Sequence, residues 1–339
     1  MLGAIVPRPL PQAASRHEAA ARHPVGALVV AFAAVWLALI PAAHAISVEL
    51  KDVAPDRIDR QRAAVEGRLP LDNTPDIAFF KQRLAVAGVK PGAPVLLRVF
   101  KETSELELWI EKGTSFILFA TYPICNWSGT LGPKLHEGDK QTPEGFYTIT
   151  GRQTYNVGRW PRSINLGFPN AYDAAHGRDG SYILMHGGCS SVGCFAMTDP
   201  VILEVHGLVR AAIANGQRYV PIHVLPFRMT DENMSAHAAS PWHSFWTSLQ
   251  RGYQSFERTR RPPRVSVCKG EYVVEDALPR QPDAPQVAGA PRKKSRANLA
   301  VGGIYSACPE PVPEPVVAAA ENKHGEAKQG GEKKLVGAQ

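Results

Sequence analysis

Residues 181–198 read SYILMHGGCSSVGCFAMT. The apolar run Tyr182, Ile183, Leu184, Met185 has the length of a strand and delivers His186 to the pair Gly187-Gly188. Eight residues after His186, Cys194 follows Gly193. A base and a thiol are thereby joined: cysteine attacks as its thiolate, and a nearby imidazole takes the proton and sits beside the anion as imidazolium. Gly187, Gly188 and Gly193 have no Cβ, so the loop can turn tightly and aim backbone N–H groups at a point in front of the sulfur. Cys194 is the candidate nucleophile, His186 the candidate base.

The next segment, TDPVILEVHGLVRAAIANG (198–216), predicts a helix with Asp199 as N-cap, Pro200 at the first helical position and Asn215-Gly216 as the stop. Its positive end is expected near the sulfur, lowering the thiol pKa further.

The order strand, His-Gly, serine-rich loop, Ser-x-Gly-Cys, helix resembles the catalytic motif of the L,D-transpeptidase (YkuD-like) family. Upstream, GDKQTPEGFYTI (138–149) is similar to the family's Thr-Pro-x-Gly strand entry. The resemblance spans roughly residues 95–225. By position it assigns His186 as base, Ser191 as loop serine and Gly193-Cys194 as the oxyanion turn with its thiol, with Gly187 shaping the loop and Ser190 and His176 as substrate-binding candidates. It implies a mainly β fold with flanking helices, an L,D-transpeptidase-like β-sandwich with the catalytic loop at one rim.

The chain departs from the family pattern in a shorter His-to-Cys interval, in Val192 where many members carry a second histidine, and in Ala196 where many carry an arginine. With YPICNWSGTLGPK (122–134), INLGFPNAYDAAHG (164–177) and VLPFRMTDENM (224–234), these departures resemble a proteobacterial subgroup. Its characterised member is a hydrolase that detaches an outer-membrane lipoprotein from peptidoglycan. The resemblance therefore implies acyl transfer at meso-diaminopimelate of peptidoglycan stem peptides. The alternatives are hydrolysis of a protein-to-peptidoglycan link, with a wall-linked outer-membrane protein as partner, and a non-catalytic wall-binding module. Neither cofactor nor metal is called for.

The 339 residues leave room for one sizeable core plus tails. Thirty-eight Lys and Arg against 31 Asp and Glu give a formal charge of +7, scattered rather than interleaved with aromatics, which argues against nucleic acid and suits an anionic polymer or membrane surface. At the N-terminus, Arg8, Arg16 and Arg22 precede an apolar stretch from Val25 to Ile40, and Ala43-His44-Ala45 offers a small-x-small cleavage site. Residues 1–45 thus read as an export signal to the periplasm, with an uncleaved inner-membrane anchor as the other outcome. Five cysteines (125, 189, 194, 268, 308) are an odd number, leaving at least one thiol unpaired within a monomer, which fits a reactive nucleophile. A Cys189–Cys194 loop disulfide, or a zinc site with His176 and His186, is the structural alternative.

Residues 46–92 read as a helical N-terminal segment, including a helix capped by Thr74 with Pro75 first and Gly88 closing it. Residues 93–228 carry the catalytic domain. PVLLRVFKE, ELELWIEKG and SFILFATYPIC predict an antiparallel meander; GFYTITG, SYILMHG and YVPIHVLPF add strands. The loop-rich stretch 123–180 is expected to shape the cleft, with Trp127, Tyr155, Trp160, Phe168 and Tyr172 each either a contact for sugar or peptide or the filler of a loop mini-core. Asp139, Glu144 and Asp173 are either solvated loop carboxylates or partners for a diaminopimelate amine. His206, His223 and His237 default to structure. Residues 229–276 form an extension: a helix carrying Trp242, Phe245, Trp246, Leu249 and Tyr253 on its core face, then a hairpin about Lys269-Gly270 with Cys268 as a buried inert thiol. Residues 277–339, rich in Pro, Ala, Lys and Glu, read as a disordered tail.

Overall fold

The computed structural model describes residues 55–277, except 69, 156, 157 and 161, together with Cys308. All belong to the second of the chain's two units, Val48–Gln339; the first, Met1–Ser47, which carries the expected signal, lies outside the described residues, as does the tail apart from Ala277 and Cys308.

Strands β1 (Val95–Phe100), β2 (Glu105–Lys112) and β3 (Ser115–Pro123) form the expected antiparallel meander, with a bulge at Leu108/Trp109. β4 (Gly145–Ile149) and β8 (Val220–Leu225) complete a five-stranded sheet in the order β3-β2-β1-β8-β4, in which β1 and β8 run parallel. A second sheet orders β5 (Ile164–Asn165), β6 (Leu184–His186) and β7 (Phe195–Ala196) as β5-β6-β7. The fold is mainly β with flanking helices.

Strand β1 is buried along its whole length because both faces of the large sheet are covered. Period-two alternation sends Val95, Leu97 and Val99 into one core, shared with Met185 and Phe195 of the small sheet and with Val201, Val205 and Val209 of helix α4 (Asp199–Ala214). Leu96 and Phe100 point the other way, toward helix α6 (His243–Thr259). That helix lays Phe245, Trp246, Leu249, Tyr253 and Phe256 on the sheet, as its aromatic stripe predicts, although Trp242 stands just before its first turn. Gly252 is required there, since a Cβ would collide with the Phe146 ring.

Helix α1 (Pro55–Val65) is clamped to the domain by two arginines. Arg57 donates to the Trp127 and Gly129 carbonyls at 2.6 and 3.0 Å with its guanidinium 3.5 Å over the Trp127 ring, and Arg60 donates to the Ile124 carbonyl at 3.1 Å. The expected helix after Thr74 begins later: Asp76 caps a 3-10 turn at Ile77–Phe79, α2 follows as Phe80–Ala87, and Gly88 in the left-handed region ends it. Thr198, not Asp199, is the N-cap of α4, with Asp199 and Pro200 inside its first turn. Short α3 (Ala171–Ala175) and α5 (Asp231–Ala236) complete the α-helices among the described residues, and a second 3-10 turn spans Gly151–Thr154.

The hairpin β9 (Arg264–Cys268) and β10 (Glu271–Glu275) turns through Lys269 and Gly270, both with positive φ, as expected. Cys268 is not an inert thiol: it is disulfide-bonded to Cys308. Cys189 pairs with Cys125 rather than Cys194, which leaves Cys194 as the free cysteine. Glu144 and Asp173, read as solvated or substrate-facing, are fully buried: Glu144 pairs with Lys101 at 2.9 Å, and Asp173 with Arg178 at 2.9 Å and with the Tyr147 hydroxyl at 2.9 Å.

Candidate active site

Strand β6 is shorter than its apolar run because Tyr182, at φ 57°, turns the chain just upstream. β6 and β7 pair in parallel with Met185 opposite Phe195 and His186 opposite Ala196. Cys194 immediately precedes β7, and its sulfur receives the Leu184 N–H at 3.4 Å. Leu184 and His186 share a strand face, so the register brings the thiol and the imidazole to one side of the small sheet.

The turn that presents the thiol is held from three directions. Ser191 Oγ donates to the Cys194 carbonyl at 2.6 Å, closing the Ser-x-Gly-Cys turn on itself. The Gly193 N–H donates to the buried Ser128 Oγ at 2.6 Å. Thr142, of the Thr-Pro-x-Gly stretch, accepts the Ser128 N–H at 3.1 Å on its hydroxyl, which donates in turn to the Cys194 carbonyl at 3.5 Å. The Gly193 N–H is thus committed to structure, which corrects its expected share in an oxyanion hole. Gly187 needs its missing Cβ, since one there would collide with Asp199 Oδ1; Gly188, at φ 84°, lies beneath the Trp160 ring.

His186 is almost fully buried. Its Nδ1 lies 2.6 Å from the Gly187 carbonyl, an atom that only accepts, so Nδ1 carries the proton and Nε2 keeps its lone pair. Burial pulls the imidazole pKa below its ordinary 6.5, with the Arg159 charge acting the same way and the Gly187 carbonyl and Asp199 opposing. Burial also raises the Cys194 thiol above 9.0, against the Leu184 N–H and Lys134. The expected lowering of the thiol pKa is therefore reversed: near neutral pH a neutral thiol, directed at the Tyr182 carbonyl at 3.9 Å, and a neutral imidazole share one cavity.

A cavity of about 400 Å³ opens on these groups, lined by Cys194, His186, Ser190 and Ser191. Arg159 and Trp160 form one flank, with the indole stacked on His186 at a centroid distance of 4.5 Å. Ile58 and Gln61 of α1, with Asn126, form another, and Asn126 Nδ2 donates to Gln61 Oε1 at 3.1 Å. The Cys125–Cys189 disulfide stitches this wall to the loop between base and thiol.

Not every expected residue arrives here. His176 caps the end of α3, stacked on Tyr172 with Nδ1 2.9 Å from the Tyr172 carbonyl, and does not line the cavity. Of the five loop aromatics only Trp160 lines it; Trp127, Phe168 and Tyr172 are buried and Tyr155 lies exposed against Arg210. Sequence reasoning missed Arg159, Asn126, Gln61 and Ser128, whose roles depend on contacts between residues far apart in the chain.

A cysteine and a histidine carried at the ends of two adjacent parallel strands and lining one cavity define a candidate cysteine–histidine active site. Residues 96–224 match the family model of the YkuD L,D-transpeptidase catalytic domain. The chain is 44% identical over 215 residues to "Putative L,D-transpeptidase YafK" of Escherichia coli strain K12, covering 63% of this chain and 85% of that protein, and equally to its counterpart in Escherichia coli O157:H7. The chain belongs to the L,D-transpeptidase family. Among solved structures, the helical cell shape determining protein Pgp2 of Campylobacter jejuni is similar at 18% identity with a TM-score of 0.31, over 53% of this chain and 66% of that one. Bd1075 of Bdellovibrio bacteriovorus is similar at 20% identity with a TM-score of 0.29, over 49% and 58%.

Proposed function

We propose that this chain carries out cysteine-dependent acyl transfer at the meso-diaminopimelate carbonyl of peptidoglycan stem peptides. The observation that carries the reading is that Cys194, the free cysteine among those described, and His186, in the tautomer with Nε2 unprotonated, line one cavity. Because both groups rest neutral, His186 Nε2 takes the thiol proton as the sulfur bonds to the carbonyl carbon, rather than in a prior ionisation. The Cys194 N–H stabilises the oxyanion. Collapse breaks the bond to the leaving amine, which takes the proton back from His186, and a thioester remains. An acceptor amine or water then attacks with His186 again as base, regenerating the thiol. An amine makes the enzyme a transpeptidase; water makes it a hydrolase, able to cut a protein-to-peptidoglycan link.

The reaction is assigned to the periplasm. Support comes from the N-terminal signal-like sequence and from two disulfides, which persist in oxidising compartments. Incubating the protein with muropeptides and reading the products by mass spectrometry tests the proposal: new crosslinks or exchanged amino acids indicate transfer, and release of an amine-terminated peptide indicates hydrolysis. Full activity of Cys194→Ala would end the mechanism.

A further inference from the structure

The cavity has a charge preference of its own. Among the described residues lining it, Arg159 is the one with a permanent charge, and none is an aspartate or glutamate. Arg159 is exposed, and among the described residues it makes no ion pair with a carboxylate. Other cations near the site are already paired: Lys134, whose charge reaches Cys194, is held by Asp139 at 2.5 Å and by the His136 carbonyl at 2.7 Å. The residues that follow the nucleophile offer no cation either, since Phe195, Ala196 and Met197 are apolar and fully buried.

Arg159 is also positioned. Its guanidinium carbon lies 4.8 Å from the centroid of Trp160, and that ring is fixed by stacking on His186 and by covering Gly188. A guanidinium resting against an aromatic ring keeps its N–H fork free, and that fork matches a carboxylate bidentately. The arrangement places an unpaired cation at the rim of the cavity that holds the thiol and the base, with the Asn126–Gln61 amides on another flank.

We propose that Arg159, carried on Trp160, anchors a carboxylate of the peptide substrate, so that the cavity selects acidic stem peptides over amidated ones. This deepens the acyl-transfer reading and rests on it. Two carboxylates near the scissile bond qualify: the free one on the diaminopimelate side chain and the C-terminal one of the residue that leaves.

Binding is measured on full-length protein carrying Cys194→Ala, so that no thioester forms, using a synthetic tetrapeptide stem with both carboxylates free and two analogues, each amidated at one of them. Arg159→Gln is expected to weaken binding of the free acid roughly tenfold, the scale of one charge-assisted contact. One amidated analogue should bind equally well with and without the Arg159→Gln change, identifying the anchored group, while the other retains the full difference. Arg159→Lys should recover part of the affinity, as a point charge without the fork. If Arg159→Gln leaves all three peptides bound as before, or weakens all three equally, the anchor is overturned. A parallel turnover assay with Cys194 intact separates the two readings. Turnover that is insensitive to Arg159→Gln removes the anchor alone, whereas a protein that neither binds nor turns over any of the peptides removes the acyl-transfer reading together with the anchor.

Discussion

The indole of Trp160 lies 4.5 Å from the imidazole of His186, with the ring planes 22° apart. The contact fixes the imidazole and contributes to the burial that holds its pKa below 6.5. Trp160→Ala should lower kcat about tenfold, the scale of about 1.4 kcal/mol of lost positioning, and Trp160→Phe should restore most of it. Exposure of the ring raises the pKa toward 6.5, so the acid limb of kcat/KM should move to higher pH in Trp160→Ala. An unchanged limb would show that burial of His186 does not depend on the indole.

The neutral resting pair has its own signature. The thiol pKa is raised by burial, so alkylation of Cys194 by iodoacetamide should climb with pH to a midpoint above 9.0. The imidazole is held below 6.5, so peptide turnover should continue below pH 6.5, where an unperturbed imidazole would already be protonated. An alkylation midpoint near pH 5 would instead reveal a preformed thiolate–imidazolium pair.

The two predictions rest on features of unequal visibility in the sequence. His186 and Cys194 are legible because glycine pairs, a strand-like run and a following helix punctuate the stretch locally. The meander and the Lys269-Gly270 hairpin are equally visible, since alternation and turn chemistry are short-range. The direction of the Cys194 shift is not: it depends on how deeply the sulfur sits beneath loops that are distant in the chain. Glu144 and Asp173 read as solvated loop residues because composition does not show that Lys101 and Arg178 meet them in the core. Cys268 sits in a strand pattern that fits a buried thiol, while its partner Cys308 lies in a segment with no periodicity at all.

Cys189 and Cys125 join the loop between base and thiol to the strand end that carries Asn126. The bridge is buried with Leu71 and Ala196, and Cys189 holds a positive φ of 51°. Replacing both cysteines by alanine should cost about 2–4 kcal/mol of stability, and turnover should fall more than stability alone explains, because the bridged loop joins His186 to Cys194. Cys268→Ala, which opens the distant bridge, should leave kcat within about twofold, a margin below about 0.5 kcal/mol. Thermal melts and turnover on the two variants check this, and equal losses in both would deny the first bridge a positioning role.

Lys101 and Glu144 form the most deeply buried ion pair near the site, both without exposure. Lys101 donates to the carbonyls of Thr130, Gly132 and Thr142 at 2.9 to 3.0 Å, and Glu144 accepts the Gly132 N–H at 2.7 Å and the Trp246 indole N–H at 2.8 Å. These contacts fasten the 128–144 loop, whose Thr142 hydroxyl donates to the Cys194 carbonyl. Removing one partner strands a buried charge, so Lys101→Met should cost about 3–5 kcal/mol, a drop in Tm of roughly 10 °C for a domain of this size. The double variant Lys101→Met/Glu144→Gln should regain part of that stability, because no charge is left unpaired. Turnover should not return with it, since the three carbonyls then keep the Gln141 amide Nε2 but lose the Lys101 ammonium that shares them, and Thr142 is held less firmly under Cys194. Full recovery of activity in the double variant, measured well below its Tm, would show that the pair serves stability alone.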